Sequence, residues 1–167
     1  MASILKVNEL QHTGGTSAMT VDSDGRVGFN NPIIFQGYND TTTYTSTGTW
    51  VATKETIDTA SAYNNSTGIF TAPKAGYYHC AFHALYRGPG NVRLSFRKNN
   101  STYSGGAGGA ASLLYQDAEA SDEDNVNMTQ IIQCAAGDTI DVYITLAGGD
   151  IYGNSNGHNG MNIFYIG

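Results

Sequence analysis

Gly76-Tyr77-Tyr78-His79-Cys80-Ala81-Phe82-His83-Ala84-Leu85-Tyr86 is the stretch that decides the fold. Tyr78, Cys80, Phe82, Ala84 and Tyr86 recur with a period of two, and Tyr77, His79, Ala81, His83 and Leu85 fill the alternate positions. That period belongs to a β-strand and places the two sets on opposite faces of a sheet.

Working outward, Arg87-Gly88-Pro89-Gly90 turns the chain, and Val92, Leu94 and Phe96 then alternate with Arg93, Ser95 and Arg97. Lys98-Asn99-Asn100-Ser101 is the next turn. Ser112 to Gln116 and Val126 to Cys134 read as strands joined by an acidic loop. After a turn at Ala135-Ala136-Gly137-Asp138, Ile140, Val142, Ile144 and Leu146 alternate with Asp141, Tyr143 and Thr145. The strand Met161 to Ile166 is apolar on both faces, with Ile163 and Tyr165 on one and Phe164 and Ile166 on the other. No segment carries a helical period. Short strands at this spacing predict an all-β sandwich or barrel.

A strand apolar on both faces needs cover on both. One layer of a sandwich covers one face. The other needs a further layer, which a second subunit can supply, and the chain ends at Gly167 with no polar tail over this strand. Oligomerisation is therefore expected.

The first thirty residues differ from the rest. Ile4, Leu5, Val7 and Leu10 form a short apolar run, and Thr13-Gly14-Gly15-Thr16 breaks it. Ala18-Met19-Thr20-Val21 and Arg26-Val27-Gly28-Phe29 flank Asp22-Ser23-Asp24-Gly25, which predicts a β-hairpin. Asn30-Asn31-Pro32 closes it. The expected division is an anchor or linker segment at 1–31 and a head at 32–167.

Composition excludes several classes. Of 167 residues, 13% are charged and 40% hydrophobic, with a net charge of -6. The eight basic residues are scattered, against the phosphate-neutralising stripe that nucleic-acid binding needs. No apolar run of about 18 residues is present to form a membrane helix. The start has no apolar segment of the secretory type. Two cysteines make no disulfide framework; both read as buried free thiols.

From Asp58 to Phe82 the chain resembles the globular head domain of complement component one-q, which shares the jelly roll of the tumour necrosis factor family. The signature positions read Asp58, Tyr63, Phe70, Gly76, Tyr78, Cys80 and Phe82, with the spacing kept. Cys80 stands where the family has Phe, and the upstream Phe position falls on Ala52, beside Trp50 and Val51. Ala72 to Tyr78, Val92 to Asn100 and Ala136 to Ile140 fit the same template. The resemblance covers 33–167 and implies a compact homotrimer. On that basis Tyr78, Ile163, Phe164, Tyr165 and Ile166 are the candidate trimer-interface residues. Phe164 and Ile166 are the first choice for the face at the threefold axis, and Ile163 and Tyr165 are the alternative.

The N-terminal piece has a second resemblance. Ser3-Ile4-Leu5-Lys6-Val7-Asn8, followed by Gly14-Gly15-Thr16-Ser17-Ala18-Met19-Thr20-Val21-Asp22-Ser23-Asp24-Gly25-Arg26-Val27, looks like the start of tailed-phage structural proteins, notably of cyanophages and marine phages. There it precedes variable globular heads. Animal members of the complement one-q family instead carry a signal peptide and a collagen stalk, and neither is seen here.

The remaining motifs read as structure. Gly153-Asn154-Ser155-Asn156-Gly157 matches G-x-S-x-G, but Asn156, Gly157 and then a strand follow the serine where a nucleophile elbow needs a helix. Gly105-Gly106-Ala107-Gly108-Gly109 lacks the Gly-Lys-Ser/Thr of a phosphate loop. Asp117, Glu119, Asp122, Glu123 and Asp124 make a solvated acidic loop or a weak calcium site. Asp22-Ser23-Asp24-Gly25 opens like a calcium loop without the later Glu, and reads as a turn. His79 and His83 share a face roughly 13 Å apart, too far for one ion within one chain. Three copies of either could meet on an axis around one ion, or sit at an interface.

These readings predict a non-enzymatic virion structural protein with no cofactor, assembled in the host cytoplasm. Residues 1–31 would contact other virion proteins. The head would project as a fibre tip, spike or capsid decoration. A surface rich in Asn, Thr, Gly and Tyr suits host-surface glycans, because amides and hydroxyls pair with sugar hydroxyls and tyrosines stack on sugar rings. A purely structural capsid cement, or a secreted trimeric recognition protein, is the alternative. A polysaccharide-cleaving enzyme would need paired carboxylates in a groove, and the only crowd of carboxylates is the one local loop.

Overall fold

In the computed structural model, residues 8–15, 17–29, 32–41, 43–102, 113–118, 123–153 and 157–167 are described. Residues 1–7, the Gly105–Gly109 run, Glu119 and Asp122 of the acidic loop, and Asn154–Asn156 lie outside them. Every regular element among the described residues is a strand, as the period-two pattern requires. The chain divides into two compact units, Met1–Pro32 and Ile33–Gly167.

The first unit is a three-stranded antiparallel sheet of β1 (Glu9–Gln11), β2 (Ser17–Val21) and β3 (Val27–Phe29), in that order. The turn between β2 and β3 is set by Asp22, whose Oδ1 accepts the amides of Asp24 at 2.9 Å and Arg26 at 2.8 Å. The sequence pattern predicts only the β2–β3 hairpin. The extra strand forms because Leu10 pairs across from Met19, which in turn pairs with Phe29, giving one apolar row.

The second unit contains β4 (Ile34–Tyr38), β5 (Gly48–Thr49), β6 (Lys54–Asp58), β7 (Tyr63–Asn64), β8 (Ile69–Thr71), β9 (Gly76–Arg87), β10 (Gly90–Lys98), β11 (Ser101–Thr102), β12 (Leu113–Ala118), β13 (Glu123–Cys134), β14 (Thr139–Ala147), β15 (Asp150–Ile151) and β16 (Asn159–Tyr165). One sheet runs β11-β10-β14-β8-β7, with β12 on β10 and β5 on β14. The other runs β13-β9-β16-β4-β6, with β15 on β9. All pairings are antiparallel.

The alternating apolar residues of both sheets meet in one core. Val92, Leu94 and Phe96 of β10 and Ile140, Val142 and Ile144 of β14 face Tyr78, Cys80, Phe82, Ala84 and Tyr86 of β9 and Met161 and Ile163 of β16. Trp50 is fully buried among them, its ring edge-on to Phe82 at 5.1 Å. Each large side chain so buried contributes about 1.5–3 kcal/mol.

The signature spacing becomes contact here. The Asp58 carboxylate accepts the amides of Ala62 at 3.0 Å and Tyr63 at 2.9 Å, closing the β6–β7 turn. Tyr63 stacks on Phe35 with centroids 4.2 Å apart, and its hydroxyl accepts the Ala52 amide at 2.7 Å. Phe70 meets Tyr78 edge-on at 5.8 Å. At Gly76, φ is +146° and a Cβ would fall 2.5 Å from the Gly167 carbonyl oxygen, so glycine is required. Ala52 is fully buried where the resemblance has Phe, and Trp50, two residues earlier, is the large aromatic of this segment.

Candidate functional site

The candidate site is the outer face of the β13-β9-β16-β4-β6 sheet. Strand register aligns its side chains in rows. Ile131, His79, Phe164 and Ile34 are successive partners across β13, β9, β16 and β4. Phe164 is 39% exposed and its ring centroid lies 6.4 Å from that of His79. Toward the Gly76 end come Tyr77, exposed, and Ile166, 55% exposed, whose amide donates to the Tyr77 carbonyl at 2.9 Å. This half of the face is apolar, and sheets in single-chain proteins normally keep such a surface from water.

The next row is mixed. Thr129, Ala81, Asn162 and Gln36 are partners across the same four strands, and Gln36 Nε2 donates to Asn162 Oδ1 at 2.9 Å. Beyond it lie Asn127, His83, Gly160 and Tyr38. A depression of about 260 Å³ opens here between Gln36, Tyr38, Thr56, His83, Gly160 and Asn162. Gly160 keeps it open, since a Cβ there would stand 2.8 Å from His83 Cε1. The face thus changes from apolar to polar along the strands, with the Asn162 row as the boundary.

The five candidate interface residues divide between the two faces. Tyr78 and Ile163 are fully buried within the single chain. They share the inward parity of β9 and β16 and belong to the core, so, against the expectation from sequence, they offer no surface to a partner. Tyr165 also points inward, at the open end of the sandwich, edge-on to Tyr78 at 5.2 Å, with its hydroxyl donating to the Ala75 carbonyl at 3.3 Å. Phe164 and Ile166 point outward. Tyr77, Ile131 and Ile57 share their face and exposure. Tyr77 and Ile131 are visible in the sequence as large apolar residues on the polar parity of their strands, whereas Ile57 lies on a strand, β6, that carries no apolar alternation.

Several charged groups are tied into the fold. On the opposite sheet, Arg97 Nε reaches both oxygens of Asp141 at 3.1 Å, its Nη2 pairs with Asp141 and donates to Thr49 Oγ1 at 2.8 Å, and it lies 4.1 Å over the Tyr143 ring. Arg87 makes a two-pronged pair with Asp150 at 2.9 and 3.0 Å and covers the Tyr152 ring at 4.1 Å. Asp138 accepts from Asn99 Nδ2 at 2.8 Å, Lys98 Nζ at 2.9 Å and the Ala135 amide at 2.8 Å. These donors, that of Asn99 first, lower its carboxyl to about 2. Burial pushes the Cys80 thiol up, and Cys134 to about 11. Among the described residues no group of three or more His, Cys, Asp or Glu is placed to hold a metal ion.

No protein-family model matches the sequence, and no curated protein matches it. Solved structures do. The globular domain of zebrafish complement 1qA protein aligns with a TM-score of 0.63 at 17% identity, over 81% of this chain and 98% of that one. The Eiger TNF of S. frugiperda aligns at 0.63 and 10% identity, over 83% and 94%. Murine APRIL aligns at 0.60 and 9% identity, over 81% and 99%. The head is therefore a jelly-roll sandwich of the complement one-q and tumour necrosis factor type.

Proposed function

We propose that the chain is a non-enzymatic homotrimeric display protein of a bacteriophage virion. Three heads pack through the apolar half of the β13-β9-β16-β4-β6 face, and residues 1–31 attach the trimer to other virion proteins. The observation that carries this reading is the outward row Ile131, His79, Phe164 and Ile34, with Tyr77 and Ile166 beside it. Cyclic packing of three copies covers that surface three times over in a closed assembly. The complement one-q resemblance implies the same number of copies.

The virion assignment is supported by the N-terminal sequence that resembles phage structural proteins. The polar surface of the head, rich in amides, hydroxyls and tyrosines, suits attachment to host-surface glycans. Immunogold labelling of intact particles with antibody to the head tests the assignment. Gold on tail fibres or capsid supports it, and unlabelled particles overturn it. Position on the tail favours host attachment, and a regular capsid lattice favours decoration.

A further inference from the structure

The β1–β3 sheet is apolar on one side only. Leu10, Met19 and Phe29 form one row, and Val21 and Val27 the next on the same face. Glu9, Thr20 and Gly28 form the row on the other face. Phe29 is 74% exposed, and Leu10 and Val27 are each about half exposed. A three-stranded sheet has no interior of its own. It becomes stable only when a hydrophobic face is packed against a second layer.

Covalent geometry says what is within reach. Four residue steps join Phe29 to Ile33, the first buried residue of the head, a span of at most about 14 Å. Ile33 leads directly into Ile34, which pairs with Phe164 in the apolar row. In the proposed trimer the three chains leave their heads beside that shared row. Short tethers then hold three identical apolar faces at a high effective concentration.

We infer that the Leu10, Met19, Val21, Val27 and Phe29 face docks on the same face of two further copies, closing a small three-sided hydrophobic core. The inference rests on the trimeric reading above. It makes the N-terminal sheet an element that folds only within the trimer.

Hydrogen exchange on the full-length chain, with mass from light scattering, tests it. In the wild-type trimer the amides of β1–β3 are protected. Phe29→Glu lowers their protection about tenfold or more while the mass stays trimeric, and Thr20→Glu, on the opposite face, leaves it within about twofold. Phe164→Asp, read at concentrations where the protein is monomeric, also removes it, because the other copies have left. Three results overturn the inference and leave the trimer standing: an unprotected β1–β3 in the wild-type trimer, equal loss from Thr20→Glu, or protection retained in the Phe164→Asp monomer. A monomeric wild-type chain overturns the trimer and the inference together.

Discussion

The indole Nε1 of Trp50 donates to Oδ1 of Asn159 at 2.9 Å, across 109 residues of sequence and between the two sheets of the head. Trp50 follows β5 on one sheet, and its amide bonds Val142. Asn159 opens β16 on the other. The same Oδ1 accepts the Asn39 amide at 3.2 Å, and Nδ2 donates to the Tyr152 carbonyl at 2.8 Å. Both side chains are fully buried, so this amide is a polar rivet in an apolar interior.

Asn159→Ala therefore strands the indole N–H of Trp50 in the core. A buried donor left without its acceptor costs about 1–3 kcal/mol. Urea unfolding followed by Trp50 fluorescence should show a lower midpoint with an unchanged slope. Asn159→Ala that unfolds at the wild-type midpoint contradicts the role.

Asp138 predicts acid sensitivity. Its carboxyl is held at about 2 in the folded chain, below its ordinary 3.8, by Asn99, Lys98 and the Ala135 amide. A lowered folded value means the stabilisation is complete above about pH 4 and disappears as pH falls through about 2. Wild-type stability should fall more steeply across that window than that of Asp138→Asn, measured by thermal unfolding at each pH. Parallel curves for the two proteins contradict it.

The thiols give a third test. Cys80 and Cys134 are both buried, with their pKa values raised by burial, and the thiolate is the reactive form. A thiol reagent at pH 8 should leave the folded chain unlabelled and modify both cysteines after unfolding. Rapid labelling of the native protein would show that the core admits solvent at these positions.

Much of the head was legible because burial enforces a period of two. The inward set from Tyr78 to Tyr86 and the partners Val92, Leu94, Phe96, Ile140, Val142 and Ile144 all fall on the face the alternation assigns. β4 and β6 were not legible, since Gly37 interrupts the apolar alternation of one and Lys54-Glu55-Thr56 makes the other polar. The apolar row itself depends on register between strands far apart in sequence, which no local period encodes. A last strand apolar on both faces does not itself say which face turns inward; the packing of the two sheets sends Tyr78 and Ile163 into the core. Trp50 stands out in the sequence beside a departure from the signature, while its bond to Asn159 follows only from how the sheets stack.

The packing of the heads is tested by reversing one side chain of the row. Phe164→Asp places a charge among Tyr77, His79 and Ile166 and should dissociate the assembly at micromolar concentration. Thr145→Asp, on an exposed position of the other sheet, should leave it intact. Sedimentation velocity reads both, and equal behaviour of the two variants would remove the apolar row from the interface.

In the proposed assembly three copies close around that face. Light scattering coupled to size exclusion on the full-length chain tests it most directly. One copy has a mass of 17.7 kDa, so a species of about 53 kDa that persists on dilution to micromolar concentration is expected. A stable species of 17.7 kDa under the same conditions would contradict it.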